Sequence, residues 1–488
     1  MSRQQTVFAG VLLAAMPWLA AAEVPESGFQ AEVAVSRPTR LDWQFVAAEF
    51  GKDAARLPHF YLSARQRYQL YVPPAHKPGT TWPLLVFLSP GDDPLGWRYC
   101  QKLCEDKDVF FCAAYGAGNN TPPGPRIHLI LDVLDDVRRR YPIDTDRTYL
   151  AGFSGGGRLA CTIAFAMPEY FGGVLAIGGA NPPHHLDYLR HVAEDRLSVA
   201  LVAGETDSNR RESEVLWAPL FGETGIRSRL WVVPKLGHEM PPEAVLSAAY
   251  TWLEEDLPRR RGEAKARLGA KASPDELLTD HDRAERLLEW ARAEMYQPDR
   301  AYRAVAKLVG LLARWSDTDA GDKARVLLKE LSTDPVRRQR LAEQSAADEW
   351  RRLSVQAKAL ENFGRFREAR DAWQRLAKSQ ADQPAGARAG EEVKRLDTLL
   401  AASPFLGIHF EGQTTIVQTV VRRGPADRAG VQAGDRILKM GGEATPSATE
   451  ARQALQARKP GDKLAIEVRR DGKTVTLTVE VGTRRTDE

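Results

Sequence analysis

Net charge, cysteine and apolar runs are all scarce in this sequence, and each shortage removes a class of protein. The 488 residues include 68 basic and 65 acidic side chains, a net charge of +3, which leaves no electrostatic footprint for a nucleic acid. The triple-arginine runs at 138–140 and 259–261 therefore read as solvated helix or linker surface. Only four cysteines occur, Cys100, Cys104, Cys112 and Cys161, and none stands at zinc-ligand spacing from a histidine. No metal site and no cofactor are expected. A local disulfide involving Cys112 is one expectation for an oxidising compartment, and Cys161, on the apolar face of a predicted helix, reads as a buried free thiol. Past residue 22 no segment is apolar enough to span a bilayer.

The one apolar run is N-terminal, from Val7 to Ala22, with Arg3 ahead of it and Gly10 and Pro17 inside it. Ala20-Ala21-Ala22 then offers a small-residue cleavage site before Glu23. Residues 1–22 read as a secretory signal peptide, short for an anchor of about 20 apolar residues. No cysteine follows for lipid attachment. The expected location is the bacterial periplasm or exterior, with no stable membrane span after cleavage.

The remainder divides into compositional regimes. In residues 23–257 short apolar runs (68–72, 84–88, 109–113, 148–152, 174–177, 199–203, 230–233) alternate with amphipathic stretches (97–107, 126–140, 156–167, 242–257). Such alternation predicts an α/β fold with a mostly parallel sheet covered by helices on both faces. Residues 258–273, basic and rich in Gly and Ala, read as a linker. Residues 274–400 carry Ala, Leu, Arg and Glu at helical spacing and predict irregular helical hairpins. Within them Ala359 to Ala369 resembles one tetratricopeptide-type unit, with Gly364 at the inter-helix turn, but no 34-residue period holds across the region. Residues 401–482 return to strands punctuated by glycine, and 483–488 form a tail.

One motif carries chemistry. Gly152-Phe153-Ser154-Gly155-Gly156 lies between a predicted strand and a predicted helix, the context of a nucleophile elbow. A serine nucleophile needs a base, and the base an orienting acid. The run 201–207 is an apolar strand ending in Glu205-Thr206-Asp207, and the run 230–238 is the next strand ending in Gly237-His238. Asp207 is assigned as orienting acid, with Glu205 its rival, and His238 as general base. His281 and His409 fall in the later regions, while His184, His185, His191, Asp187 and Asp195 fall in a polar connector and read as surface residues. The oxyanion would take the Gly155 N–H and a second donor from the loop after residues 84–88, where Gly91 is the candidate because Pro90 has no N–H, with Asp92 next.

These segments resemble the α/β-hydrolase superfamily, nearest its secreted esterase branch of polyhydroxybutyrate-depolymerase and feruloyl-esterase type. The likeness covers residues 66–255: Arg67 to Pro73 resembles the opening strand, Gly152 to Gly156 the elbow, Gly204 to Asp207 the acid segment, and Gly237-His238 the base segment. It departs after the third strand, where Ser89-Pro90 stands in place of the usual His-Gly. The connector 180–197 is too short for a large lid, which predicts an open site.

Residues 404–482 resemble a PDZ domain of the bacterial, protease-associated type. Pro404-Phe405-Leu406-Gly407-Ile408 is similar to its carboxylate-binding loop, and Gly424 to Leu438 to its most recognisable stretch. The resemblance implies that a free peptide C-terminus binds the N–H groups of Leu406, Gly407 and Ile408 and adds a strand beside Ile408 to Phe410. Ala451 and Leu455, on a helix expected over Thr449 to Ala457, would line the side-chain pocket.

Three readings result. The first is an exported serine hydrolase acting on carboxylic esters, with the PDZ domain capturing the C-terminus of substrate or partner. The second is a serine peptidase of the same fold, and the third a non-enzymatic scaffold carrying a relic hydrolase domain.

Overall fold

The computed structural model describes residues 27–77, 79–268, 279–411 and 414–483. The expected signal peptide, residues 269–273 of the expected linker, and residues 484–488 of the tail lie outside the described residues. Among these residues no helix is long and apolar enough to cross a membrane.

Eight strands form one sheet: β1 (Gly28–Ala34), β2 (Arg67–Val72), β3 (Trp82–Leu88), β4 (Phe110–Ala114), β5 (Ile143–Phe153), β6 (Gly173–Ile177), β7 (Ser198–Gly204) and β8 (Arg227–Val233). Their order is β1-β2-β4-β3-β5-β6-β7-β8. The first two pairings, β1 with β2 and β2 with β4, are antiparallel, and all the others are parallel. The seven expected strands are present. The eighth, β1, was not anticipated, because it lies at the sheet edge and buries little but Val33.

The helices of this domain are α1 (Trp43–Ala47), α2 (Trp97–Asp106), α3 (Pro123–Arg140), α4 (Gly155–Ala166), α5 (Asp187–Arg196), α6 (Arg210–Glu212), α7 (Ala218–Glu223), α8 (Glu243–Glu254) and α9 (Leu257–Leu268). Strand side chains alternate between faces, so each strand feeds two cores. Leu84, Val86, Leu150 and Val174 pack with Ile130 and Leu134 of α3 and Ile163 of α4. Leu85, Phe87, Tyr149, Ala151 and Leu175 pack with Leu103 of α2 and Leu246 and Leu253 of α8. All four cysteines are free and buried, so the local bridge at Cys112 does not form, while Cys161 is the buried thiol expected.

Two stretches differ from the sequence reading. Residues 257–268 form helix α9 rather than a linker, and Arg260 is 1% exposed instead of solvated. Its guanidinium donates to Leu253 O at 2.9 Å, to Tyr149 Oη at 3.1 Å and to Gly172 O. Carbonyl and hydroxyl oxygens thus satisfy a charge that burial would otherwise penalise. The connector 180–197 holds helix α5, with His191 and His184 buried, because the helical region packs over it.

That region comprises α10 (Asp280–Glu294), α11 (Ala301–Trp315), α12 (Asp319–Thr333), α13 (Pro335–Phe363), α14 (Phe366–Ser379) and α15 (Pro384–Ala402). Gly364 caps α13 at φ +96°, the left-handed conformation that a helix stop favours in glycine. Tyr188, Leu189 and Val192 of α5 share one core with Leu288, Ala304 and Leu308. Leu353 and Leu360 of α13 extend the core beneath α4.

The C-terminal domain holds β9 (Pro404–Phe405), β10 (Ile408–Phe410), β11 (Val417–Val420), α16 (Pro425–Arg428), β12 (Arg436–Met440), β13 (Glu443–Ala444), α17 (Ala448–Gln456), β14 (Lys463–Arg470), β15 (Lys473–Glu480) and β16 (Gly482–Thr483). Its strands pair as β10-β11, β13-β12-β14-β15 and β16-β9.

Candidate active site

Strand β5 ends at Phe153 and helix α4 begins at Gly155, so the whole turn falls on Ser154. Its φ of 54° and ψ of −119° are strained for a residue with a β-carbon. The flanking glycines make this turn possible. A β-carbon at Gly152 would strike the Gly156 backbone and sit 2.7 Å from Gly157 N, and one at Gly156 would run into Leu88 O. Ser154 N–H donates to Ile177 O at 2.7 Å, which ties the elbow to the neighbouring strand.

The loops after β7 and β8 deliver the other two groups. His238 Nε2 lies 3.0 Å from Ser154 Oγ, and His238 Nδ1 lies 3.0 Å from Asp207 Oδ1. A carboxylate only accepts, so Nδ1 carries the imidazole proton and Nε2 turns its lone pair to the serine hydroxyl. Asp207, 6% exposed, also accepts the Asn209 N–H at 2.8 Å. Glu205 is turned elsewhere: its Oε2 accepts the Lys235 N–H at 2.8 Å and braces the two loops. Gly178, at φ +62°, leaves room for the pair, since a β-carbon there would lie 3.1 Å from His238 Cε1 and 3.2 Å from Asp207 Oδ2.

Gly155 provides the first free N–H of α4, beside Ser154. Gly91 is the expected second donor. Its N–H donates to Ser89 Oγ at 3.2 Å, and that hydroxyl donates to Asp93 O at 2.9 Å, so Ser89 turns the loop inward on itself. Residues that the sequence reading passed over surround the elbow instead. Asn209 Nδ2 donates to Gly178 O at 2.9 Å. Arg158, one turn beyond Ser154, donates to Ala180 O at 3.1 Å and pairs with Glu212. Asn119, in the loop after β4, rests against Gly155, and Arg126 of α3 donates to its Oδ1 at 3.1 Å. No spacing motif marks these residues, because they come from two separate loops and two helices.

One trio of described residues has metal-ligand chemistry, Glu49 with His184 and His185. His184 Nδ1 accepts the Leu186 N–H at 3.1 Å, so the proton sits on Nε2, 2.9 Å from Glu49 Oε1. That tautomer has no lone pair to give a metal at Nε2.

In the C-terminal domain Leu406 is buried and Gly407 takes φ +80°. The Leu406 and Gly407 carbonyls accept from Ala426 and Val421 N–H, each at 2.8 Å, while their own N–H groups take no backbone acceptor among the described residues. Strand β10 pairs with β11 on one side only. Ala451 and Leu455 of α17 share the small core with Ile408 and Phe410.

Residues 404–481 match the family model of the PDZ domain. Over 68 residues the chain is 37% identical to a "Probable periplasmic serine endoprotease DegP-like" of Ectopseudomonas mendocina (strain ymp), a match covering 14% of each protein. The chain therefore spans about one seventh of that curated relative's length. Among solved structures it is similar to a thermostable esterase, at 22% identity over 39% of this chain and 59% of that one, with a TM-score of 0.30. It is also similar to S-formylglutathione hydrolase (FrmB) of Staphylococcus aureus, at 16% identity over 38% of this chain and 92% of that one, with a TM-score of 0.32.

Proposed function

We propose that the protein is an exported serine hydrolase that cleaves carboxylic esters through an acyl-enzyme, and that its PDZ domain binds the C-terminal peptide of a substrate or partner. The observation that carries this reading is the continuous chain Ser154 Oγ, His238 Nε2, His238 Nδ1, Asp207 Oδ1, with both gaps at 3.0 Å, on a strained elbow at the N-terminus of α4.

Each step follows from that geometry. Ser154 Oγ attacks the ester carbonyl carbon while its proton passes to His238 Nε2. Asp207 holds the imidazole in the Nδ1–H tautomer and offsets the imidazolium charge. The electron pair of the C=O bond moves to oxygen, which the Gly155 N–H and the positive end of α4 stabilise. Collapse of the tetrahedral intermediate breaks the bond to the alcohol, which leaves with the proton from His238. Water then repeats the sequence on the acyl-serine, with His238 as base. Periplasmic or secreted location is part of the same reading and rests on the N-terminal apolar run.

Labelling by a fluorophosphonate, with the modified residue mapped, tests the reading. Ser154 is expected to carry the adduct, and equal labelling of Ser154→Ala would sink it. A short acyl ester set against a peptide with a free C-terminus then separates esterase from peptidase.

A further inference from the structure

Asn119 lies on the elbow itself. A β-carbon at Gly155 would collide with Asn119 Oδ1 and sit 2.8 Å from its Nδ2, so the amide rests directly against the residue whose N–H faces the oxyanion. Its orientation is set by its neighbour. Arg126 Nη1 donates to Asn119 Oδ1 at 3.1 Å, and a guanidinium has donors only. The oxygen of the amide must therefore face Arg126, which leaves the NH2 group free to point elsewhere. Nδ2 takes no acceptor among the described residues.

Arg126 is itself firmly placed. It is 7% exposed, and it donates through Nε to Ala117 O at 2.7 Å and through Nη2 to Ser89 O at 3.1 Å. Burial pulls its guanidinium down to about 10, so it stays charged at neutral pH. The two loops it joins are stitched further: Asn119 N–H donates to Pro90 O and Gly116 N–H to Asp92 O, both at 2.8 Å, and Gly118 N–H to Asp92 Oδ1 at 3.1 Å. A held and oriented donor thus stands beside Gly155, while the N–H of Gly91 is turned in on Ser89.

We propose that the Asn119 side-chain amide is the second hydrogen-bond donor to the substrate carbonyl oxygen, aimed by Arg126. The proposal rests on the serine-hydrolase reading above. No proton is transferred. As the C=O electron pair moves onto oxygen, the Nδ2–H hydrogen bond strengthens and lowers the barrier to attack by Ser154.

The test is the second-order rate constant for labelling Ser154 of the full chain by an alkyl fluorophosphonate, whose P=O oxygen occupies the same place. Asn119→Ala is expected to lower it by about 10²-fold. Asn119→Asp keeps the acceptor for Arg126 and strengthens that contact, but it replaces the NH2 with a carboxylate oxygen. It is expected to fall at least as far, while its thermal unfolding midpoint stays at or above the parent's. A role confined to packing against Arg126 predicts the reverse, so recovery of labelling in Asn119→Asp overturns the proposal. Labelling of Asn119→Ala within about threefold of the parent also overturns it, because an oxyanion donor is worth far more. Absence of Ser154 labelling in the unaltered chain would instead sink the hydrolase reading, and the proposal with it.

Discussion

Arg365, at the turn between α13 and α14, reaches across to Glu212, with Nη2 3.0 Å from Oε1. Glu212 is also the partner of Arg158, one helical turn after Ser154, so the helical region touches α6, which follows Asp207, and α4, which follows Ser154. Arg211 adds to the contact by donating to Asn362 O at 2.9 Å. Glu212 is 3% exposed, while both arginine side chains are about one third exposed. Arg365→Ala is expected to cost about 0–1 kcal/mol, as for a solvent-screened pair, and Glu212→Ala about 1–3 kcal/mol, because Arg158 loses its partner. Urea unfolding of both variants measures the difference, and equal costs would refute this division.

Asp207 and Glu205 are separated by what they touch. Asp207→Asn replaces the acceptor at His238 Nδ1 with a group that can donate and so favours the wrong imidazole tautomer. A fall in kcat of about 10⁴-fold is expected. Glu205→Gln disturbs only the brace to Lys235 and is expected to stay within about tenfold, the loss of one exposed hydrogen bond. Steady-state hydrolysis of a short acyl ester compares the two.

Gly178 stands where a side chain would meet both partners of the histidine. Gly178→Ala combines a left-handed φ of 62° with contacts of 3.1 Å to His238 and 3.2 Å to Asp207. The backbone strain alone is expected to cost about 1 kcal/mol. Activity should fall further than stability accounts for, since the imidazole must move. Parallel measurement of kcat and of thermal unfolding reads the two effects.

Two buried histidines make stability depend on pH. Burial, reinforced by Arg190, Lys307 and Arg303, pushes His191 down to about 2 despite the nearby Asp348. Burial, with His185 and Arg314, pushes His184 down to about 3. Each stays neutral in the folded chain and protonates near pH 6.5 when unfolded. Their contribution is complete above about pH 6.5 and is lost as pH falls toward those values, at up to about 1.4 kcal/mol per pH unit for each histidine. The urea midpoint should therefore drop between pH 7 and pH 5, and His191→Gln should flatten that slope. A slope unchanged by the substitution would contradict the assignment.

Peptide capture by the PDZ domain should depend on a free carboxylate. A peptide ending in an apolar residue is expected to bind, and the same peptide amidated at its C-terminus to lose at least about tenfold in affinity, the worth of a charge-assisted hydrogen bond. Leu455→Glu, which places a charge beside Ile408 and Phe410, is expected to abolish binding. Isothermal titration with the full chain checks both.

Much of this site is legible in one dimension because its parts sit at ends of regular elements. A run such as 201–207 shows a buried strand and its terminal acid together, and the strand-glycine-serine-glycine-helix pattern announces the elbow. Apolar period likewise marks seven of the eight strands; β1 escapes because an edge strand needs little apolar surface. Arg260 escapes for the opposite reason. A triple-arginine run reads as solvated, and only the oxygens of Tyr149, Gly172 and Leu253 gathered around it explain a buried guanidinium.

The sequence by itself determined the α/β architecture, the helical hairpins and the PDZ domain, and it marked Ser154, Asp207 and His238 as the candidates that the fold brings together, because each follows from local period, turn chemistry or order along the chain. Tertiary structure alone decided how the hydrogen-bonding groups around the elbow are engaged. Gly91 is spent on Ser89, and Asn119 is turned by Arg126 onto Gly155. Hydrogen bonds between separate loops depend on how the sheet brings those loops together in space, and such contacts have no period and no fixed spacing to read.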